Sequence, residues 1–225
     1  MRPFSRILEL YHDAFEASWS DSEPVDGVRF VVLDCETTGL DPRRHCIVSI
    51  GAVGVTGGQI DLSDTFEVLL RVRHNTETTP LHGITRDETR NGLDEPEAIA
   101  SLLGYLRDGV IVGHHIGHDL AMINAALRRN FDLTLRNRHL DTGLLTLQLE
   151  QDGAFPEQAK LRHVTLDALC ARFDILPYDR HTAAGDAFLT AQVFLRLLRL
   201  ASRHGRATLG ALLRRDLAVD IESAS

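Results

Sequence analysis

Residues 28–39 have the sequence VRFVVLDCETTG, and this stretch decides the fold that we expect. Its first half is apolar and β-branched, which predicts a buried strand that ends near Asp34. Because side chains alternate along a strand, Asp34 and Glu36 leave the same face. Two carboxylates this close repel each other unless cations lie between them, and Mg²⁺ and Mn²⁺ prefer such oxygen ligands. A solvated strand end that leads into a turn accounts for the same residues, so both interpretations stay open.

The remaining elements are predicted from the periodicity of the apolar residues. The predicted strands are residues 28–33, 47–55, 65–71, 109–113 and 138–141, with a hairpin tip at Gly57 and Gly58. The predicted helices are residues 4–19, 97–107, 119–130, 165–173, 183–200 and 207–217. A hairpin of strands followed by alternating helices and strands is typical of an α/β fold, in which a central mixed five-stranded sheet carries helices on both faces.

The composition excludes several classes of protein. The chain has 225 residues, of which 44% are hydrophobic and 25% charged, and these fractions exclude wholesale disorder. No apolar run approaches the roughly 20 residues of a membrane helix, and early charges interrupt any secretory signal. Three cysteines are too few for a disulfide framework or a cysteine-rich zinc site, so a reducing cytoplasm is expected.

The net charge limits how the chain can bind nucleic acid. The formal charge is -8, which argues against a protein that covers a phosphate backbone with cations, but not against a local nucleic-acid site. Lys160 is the only lysine, so arginine supplies nearly all of the positive charge. Arginine is the better bidentate phosphate ligand, although genome composition alone explains the same skew.

Two further acids lie at predicted helix starts. Asp119 follows a buried strand in VGHHIGHDL (112–120), where it is either a metal ligand or a helix cap. Asp186 in HTAAGDA (181–187) lies beside the apolar face of a long helix, and a buried acid needs a partner or a metal. His181, five residues earlier, is either functional or an ordinary histidine at a helix start.

Three ordered motifs resemble those of the DEDDh-type 3′–5′ exonucleases of the RNase H-like superfamily, in particular the epsilon (proofreading) subunits of DNA polymerase III. They are DCETTG (34–39), HHIGHDL (114–120) and HTAAGDA (181–187), supported by LHGIT (81–85) and TLDALCARFDI (165–175). The resemblance covers residues 28–200 and implies an RNase H-like fold. We therefore expect an N-terminal amphipathic helix and acidic linker (1–27), an exonuclease domain (28–203), and a C-terminal peripheral helix and tail (204–225).

The resemblance also implies roles for individual residues. His181 matches the general base of the family. The matching metal-binding acids are Asp34, Glu36, Asp119 and Asp186. The implied substrate contacts are Thr37, Thr38, Leu40, Glu77, His82 and Ile84. Where the family usually has Asn and Phe, this chain has His115 and His118, which either bind a phosphate, shift the metal preference toward Mn²⁺, or pack in place of those residues.

The implied activity is metal-dependent 3′–5′ exonuclease cleavage at single-stranded or mispaired DNA ends, in proofreading or repair. Two divalent cations, Mg²⁺ or Mn²⁺, are the implied cofactors, and nucleoside 5′-monophosphates are the expected products. Cleavage of RNA ends or short oligoribonucleotides is the alternative activity. A binding module without catalysis is the less favoured function, because all five positions of the motifs are filled.

The expected partners and location follow from the same resemblance. A nucleic-acid 3′ end, DNA before RNA, is the expected substrate, with a polymerase or another protein as a partner and no membrane. The expected location is the bacterial cytoplasm. The sequence stops at Ser225 without the long polar tail of epsilon subunits, which favours a stand-alone or differently partnered nuclease.

Overall fold

A central mixed sheet organises the computed structural model, which describes residues 4–72, 83–84, 86–156 and 163–214. Its five strands in the described residues are β1 Phe30–Thr37, β2 Ile47–Thr56, β3 Gln59–Leu69, β4 Val110–Gly113 and β5 His139–Asp141. They are arranged in the order β3-β2-β1-β4-β5. β1 runs antiparallel to β2 and parallel to β4, so the predicted α/β fold with a mixed five-stranded sheet is confirmed.

Helices cover both faces of this sheet. They are α1 Ser5–Asp13, α2 Arg86–Thr89, α3 Glu95–Leu106, α4 Gly117–Phe131, α5 Thr142–Gln151, α6 Leu166–Arg172, α7 Ala183–Arg203 and α8 Leu209–Leu213. Alternate residues of β1 enter two separate cores. Phe30 packs with Phe194 of α7 on one face, with ring centroids 5.0 Å apart. Val31 and Leu102 of α3 both belong to the core on the other face. The predicted coverage of both faces is therefore confirmed.

The N-terminal helix is shorter than predicted. The periodicity indicated a helix over residues 4–19, but α1 ends at Asp13. Phe15 folds back onto Tyr11, with ring centroids 5.2 Å apart. Trp19 instead packs against the core on the opposite side of the sheet, and its indole Nε1 donates to the Asp108 carbonyl at 3.1 Å. A single straight helix cannot reach both cores, so the chain leaves the helix.

Other predicted boundaries also need correction. The first strand does not end near Asp34 but continues to Thr37, and the third begins at Gln59, directly after the predicted hairpin tip. Helix α5 was not predicted at all. Helix α8 occupies only part of the predicted range 207–217, whose end lies outside the described residues. Of the helices in the described part of the chain, none is long and apolar enough to cross a membrane.

Candidate active site

The central strand β1 carries the first two acids near its C-terminal end. Asp34 pairs in register with Gly51 of β2, and Glu36 pairs with Ser49. Because both acids are two residues apart on an extended strand, their side chains leave the same face, as predicted. This places two half-buried carboxylates where the first turn of α7 meets the sheet.

A close backbone approach brings α7 to the two acids. A Cβ atom at Gly51 would lie 2.3 Å from the Ala184 nitrogen, so only glycine allows the helix to come this near. Thr182 caps the helix, since its hydroxyl oxygen accepts a hydrogen bond from the Gly185 amide at 3.0 Å. Asp186 therefore projects from the first turn of α7 toward β1.

The structure brings three of the predicted metal ligands together. One carboxylate oxygen each from Asp34, Glu36 and Asp186 lies within 4.8 Å of the others. Asp119 lies beside this group, in the first turn of α4, and is only 6% exposed. Its Oδ1 accepts a hydrogen bond from the Cys35 amide at 3.0 Å, which fixes α4 against β1. The four acids thus converge from three separate elements.

Burial and mutual repulsion perturb these carboxyl groups. Burial raises the pKa of Asp34 well above its ordinary value, and three neighbouring carboxylates raise it further. Burial and the charge of Asp186 raise the pKa of Glu36 to about 7, against the opposing charge of Arg180. Burial also raises the pKa of Asp119 to about 7, although backbone hydrogen bonds lower it. A donor set of crowded carboxylate oxygens suits hard divalent cations, which relieve this repulsion.

His181 lies at the entrance of the same site. It is exposed, and its backbone adopts a left-handed conformation with φ 64°. Its backbone amide donates to Asp186 Oδ2 at 3.3 Å. The histidine and the acid of the final motif are therefore joined through the main chain, with the imidazole at the solvent side.

The site contains an arginine that was not predicted from the sequence. Arg180 donates from Nε to Asp167 Oδ1 at 2.7 Å and from Nη1 to Asp186 Oδ1. The pairing with Asp167 joins the first turn of α6 to the loop before α7. The signal was a cation directly before His181, but one of its two acidic partners, Asp167, lies 13 residues away in sequence.

The residues predicted to contact substrate differ in their burial. Thr37 and Thr38 are buried after Glu36, and the Thr38 hydroxyl accepts from the Cys46 amide at 2.9 Å. Leu40 is 81% exposed in the adjoining loop, and Ile84 is partly exposed. The other two predicted contacts, Glu77 and His82, lie outside the described residues.

The histidines of the second motif have different surroundings. His118 Nε2 lies 3.3 Å from Thr37 Oγ1, so its ring contacts the residue after the paired acids. His115 is exposed and its ring lies 4.3 Å, centroid to centroid, from that of His114. The His114 Nδ1 is 2.9 Å from Thr142 Oγ1. In the described chain, the group of three acids includes none of these histidines.

Comparison with known proteins agrees with this geometry. A family model described as "Exonuclease" (RNase_T) matches residues 31–194. The DNA polymerase III PolC-type protein of Thermotoga maritima is 32% identical over 188 residues, which cover 83% of this chain and 13% of that protein. The DNA polymerase III subunit epsilon of Aquifex aeolicus is 29% identical over 176 residues, which cover 77% of this chain and 82% of that subunit.

Solved structures share the fold at lower sequence identity. E. coli exonuclease I in complex with a dT13 oligonucleotide superposes with a TM-score of 0.66 at 17% identity, over 78% of this chain and 42% of that one. This chain therefore has the fold of those enzymes, but it spans only a small part of the PolC-type relatives that it matches.

Proposed function

Because this chain belongs to the exonuclease family, we propose that it hydrolyses phosphodiester bonds at the 3′ end of DNA and releases nucleoside 5′-monophosphates. The observation that carries this proposal is the convergence of carboxylate oxygens from Asp34, Glu36 and Asp186 within 4.8 Å. DNA is favoured over RNA because the relatives described above are named as DNA polymerase III proteins.

The four acids are proposed to hold two divalent cations, Mg²⁺ or Mn²⁺. Such ions, when bound, lower the pKa of water and stabilise negative charge on phosphate oxygens. Asp34 takes the central position in this proposal, because the charges of the other three acids all act on it. The elements β1, α4 and α7 hold the acids rigidly, which orients them before substrate arrives.

His181 is proposed to accept a proton from the attacking water. Its exposed position beside Asp186 suits a group that exchanges protons with solvent between turnovers. The exposed Leu40 is proposed to contact the terminal base through its apolar surface, together with Ile84. Thr37 and Thr38 are proposed to approach the same nucleotide, and Glu77 and His82 remain predictions from the family resemblance.

We also propose that the chain acts together with a polymerase. A polymerase is the protein partner that the names of the relatives favour, since one is named as a DNA polymerase III of PolC type and the other as a subunit of DNA polymerase III. Proofreading of mispaired ends is the role that fits such a partner. Co-purification and native mass of the chain mixed with a polymerase catalytic subunit would test this pairing, and separate elution at micromolar concentration would count against it.

Hydrolysis of matched labelled oligonucleotides tests the activity. A 5′-labelled single strand of DNA should shorten from its 3′ end with Mg²⁺ or Mn²⁺, and excess EDTA should abolish the reaction. Asp34→Asn should remove activity, whereas Asp13→Asn, at an exposed acid at the end of α1, should not. Full activity in excess chelator would refute the metal-dependent mechanism. Faster cleavage of the matching RNA would transfer the proposal to an exoribonuclease, and binding without cleavage would indicate a binding module.

A further inference from the structure

The guanidinium of Arg180 lies between one acid inside the site and one acid outside it. Nη1 pairs with Asp186, whose side chain is 11% exposed, and Nε pairs with Asp167 at 2.7 Å, whose side chain is 66% exposed. The Arg180 side chain itself is 21% exposed. The arginine is therefore a partly buried cation that already neutralises one of the four converging acids.

This cation acts on the rest of the acidic group as well. The positive charge of Arg180 lowers the pKa of both Asp34 and Glu36, opposing the effect of burial and of the neighbouring carboxylates. In turn, the two carboxylates that it contacts raise the pKa of Arg180, so the arginine stays charged at any working pH. Arg180 thus supplies part of the positive charge that a bound metal ion would bring to the acids.

A divalent cation and the guanidinium of Arg180 cannot both bind the carboxylate of Asp186 fully. Asp186 Oδ1 accepts from Arg180, while Oδ2 accepts from the backbone amide of His181 at 3.3 Å. A metal ion that binds Asp186 must displace or share one of these donors, and it also meets the repulsion of the arginine charge. Both effects weaken metal binding relative to a site without the arginine.

We propose that Arg180 competes with the divalent cations for Asp186 and thereby sets the metal affinity of the site. This inference rests on the proposed metal-dependent function. Arg180 is a positioning residue here, because it acts through Asp186.

Asp167 keeps Arg180 paired when a cation displaces the arginine from Asp186. It lies in the first turn of α6, after the cap residue Thr165, and it holds Nε independently of Asp186. When Asp186 turns to a cation, the guanidinium keeps a charge-assisted hydrogen bond and is not left unpaired. The exchange therefore costs one contact of the arginine and leaves the other in place.

Manganese binding to the full chain, without nucleic acid, tests the proposal. The Kd for Mn²⁺ is measured by electron paramagnetic resonance of the free ion, for the wild type and for Arg180→Gln and Arg180→Met. Both variants should bind Mn²⁺ about tenfold more tightly, the factor expected from losing one charge-assisted hydrogen bond that competes. Arg180→Met keeps the aliphatic stem, so it reports on charge if Arg180→Gln folds poorly.

Two further variants separate competition from structural support. Arg180→Lys keeps a cation next to Asp186, so its Kd should stay near the wild-type value. Asp167→Asn removes the outer partner and leaves the arginine to pair with Asp186 alone, so Mn²⁺ binding should not tighten. Weaker or unchanged binding in both neutral variants would overturn the competition.

The same measurement distinguishes a failure of the proposed competition from a failure of the proposed function. A wild type that binds no Mn²⁺ at millimolar concentration would refute the metal site and the competition together. A wild type that binds Mn²⁺ and cleaves DNA, with neutral Arg180 variants that bind no better, would refute only the competition. If the neutral Arg180 variants bind Mn²⁺ more tightly but the wild type has no nuclease activity, the competition is supported and the proposed function is refuted.

Discussion

Replacing Gly51 with alanine should damage the site without touching any of its acids. The new Cβ would lie 2.3 Å from the Ala184 nitrogen, whereas ordinary contact begins near 3.4 Å, so the first turn of α7 must move by about 1 Å. This turn carries Asp186, and the loop before it carries His181. A misplacement of about 1 Å costs on the order of 10²-fold in rate, which is the loss that we expect in kcat/KM.

The same change should lower stability by a smaller amount. Overpacking a close contact costs about 1–3 kcal/mol. For a chain of this length that loss lowers Tm by roughly 2–12 °C, so the protein should remain folded at 25 °C. The rate is therefore measured on folded protein, with 5′-labelled single-stranded DNA and Mg²⁺, and circular dichroism follows the melting.

A matched substitution controls for the effect of any added methyl group. Gly117 lies two residues before Asp119 at the start of α4, and an added Cβ there meets no atom within 4 Å. Gly117→Ala should keep the wild-type rate. If Gly51→Ala folds and retains wild-type kcat/KM, the close approach of α7 does not position the acids that are proposed to act in catalysis.

Three other predictions follow from the site and the N-terminal segment. His181→Ala should lower turnover by roughly 10²–10⁴-fold at neutral pH, with partial recovery at higher pH, while the Kd for Mn²⁺ stays unchanged; wild-type turnover would make the histidine structural. Because the pKa of Glu36 rises from 4.5 in the unfolded chain to about 7 in the folded one, its ionisation destabilises the metal-free fold progressively as the pH rises between these values. In EDTA, the Tm of Glu36→Gln minus the Tm of the wild type should therefore increase from pH 4.5 to about 7 and stay constant at higher pH. A difference that decreases over this range would contradict the prediction. Deletion of residues 1–24 should lower Tm, because it removes the buried Tyr11 and its hydrogen bond to Asn137; an unchanged Tm would show that this segment does not stabilise the fold.

The elements around the site were the most predictable part of the fold. The apolar, β-branched run of β1 and the long apolar pattern of α7 are local signals, and both are typical of elements that pack on a core. The alternation of side chains along a strand placed Asp34 and Glu36 on one face, and the structure confirms that arrangement. Their roles in catalysis stay predictions, as does the division of the chain at residues 27 and 203.

The missed features depend on contacts between distant parts of the chain. Helix α5 buries both apolar and polar side chains, including Thr146 and Gln148, so it lacks the apolar stripe that would reveal it. Trp19 matched the helical spacing of α1 but packs on the other core, which sequence periodicity cannot show. Arg180 meets Asp167 only after α6 and α7 are placed side by side, so the sequence around Arg180 does not predict this pair.

The pairing of Thr38 with Cys46 offers a built-in place for a fluorescent reporter. Cys35 and Cys170 are buried, so Cys46 is the exposed thiol of the three in the chain. Its amide is bonded to the Thr38 hydroxyl, and the loop between the two residues carries Leu40. A maleimide dye attached at Cys46 would therefore lie at the end of the loop that is proposed to contact the terminal base. Arrival and departure of unlabelled substrate would then be visible in real time, without engineering a new cysteine.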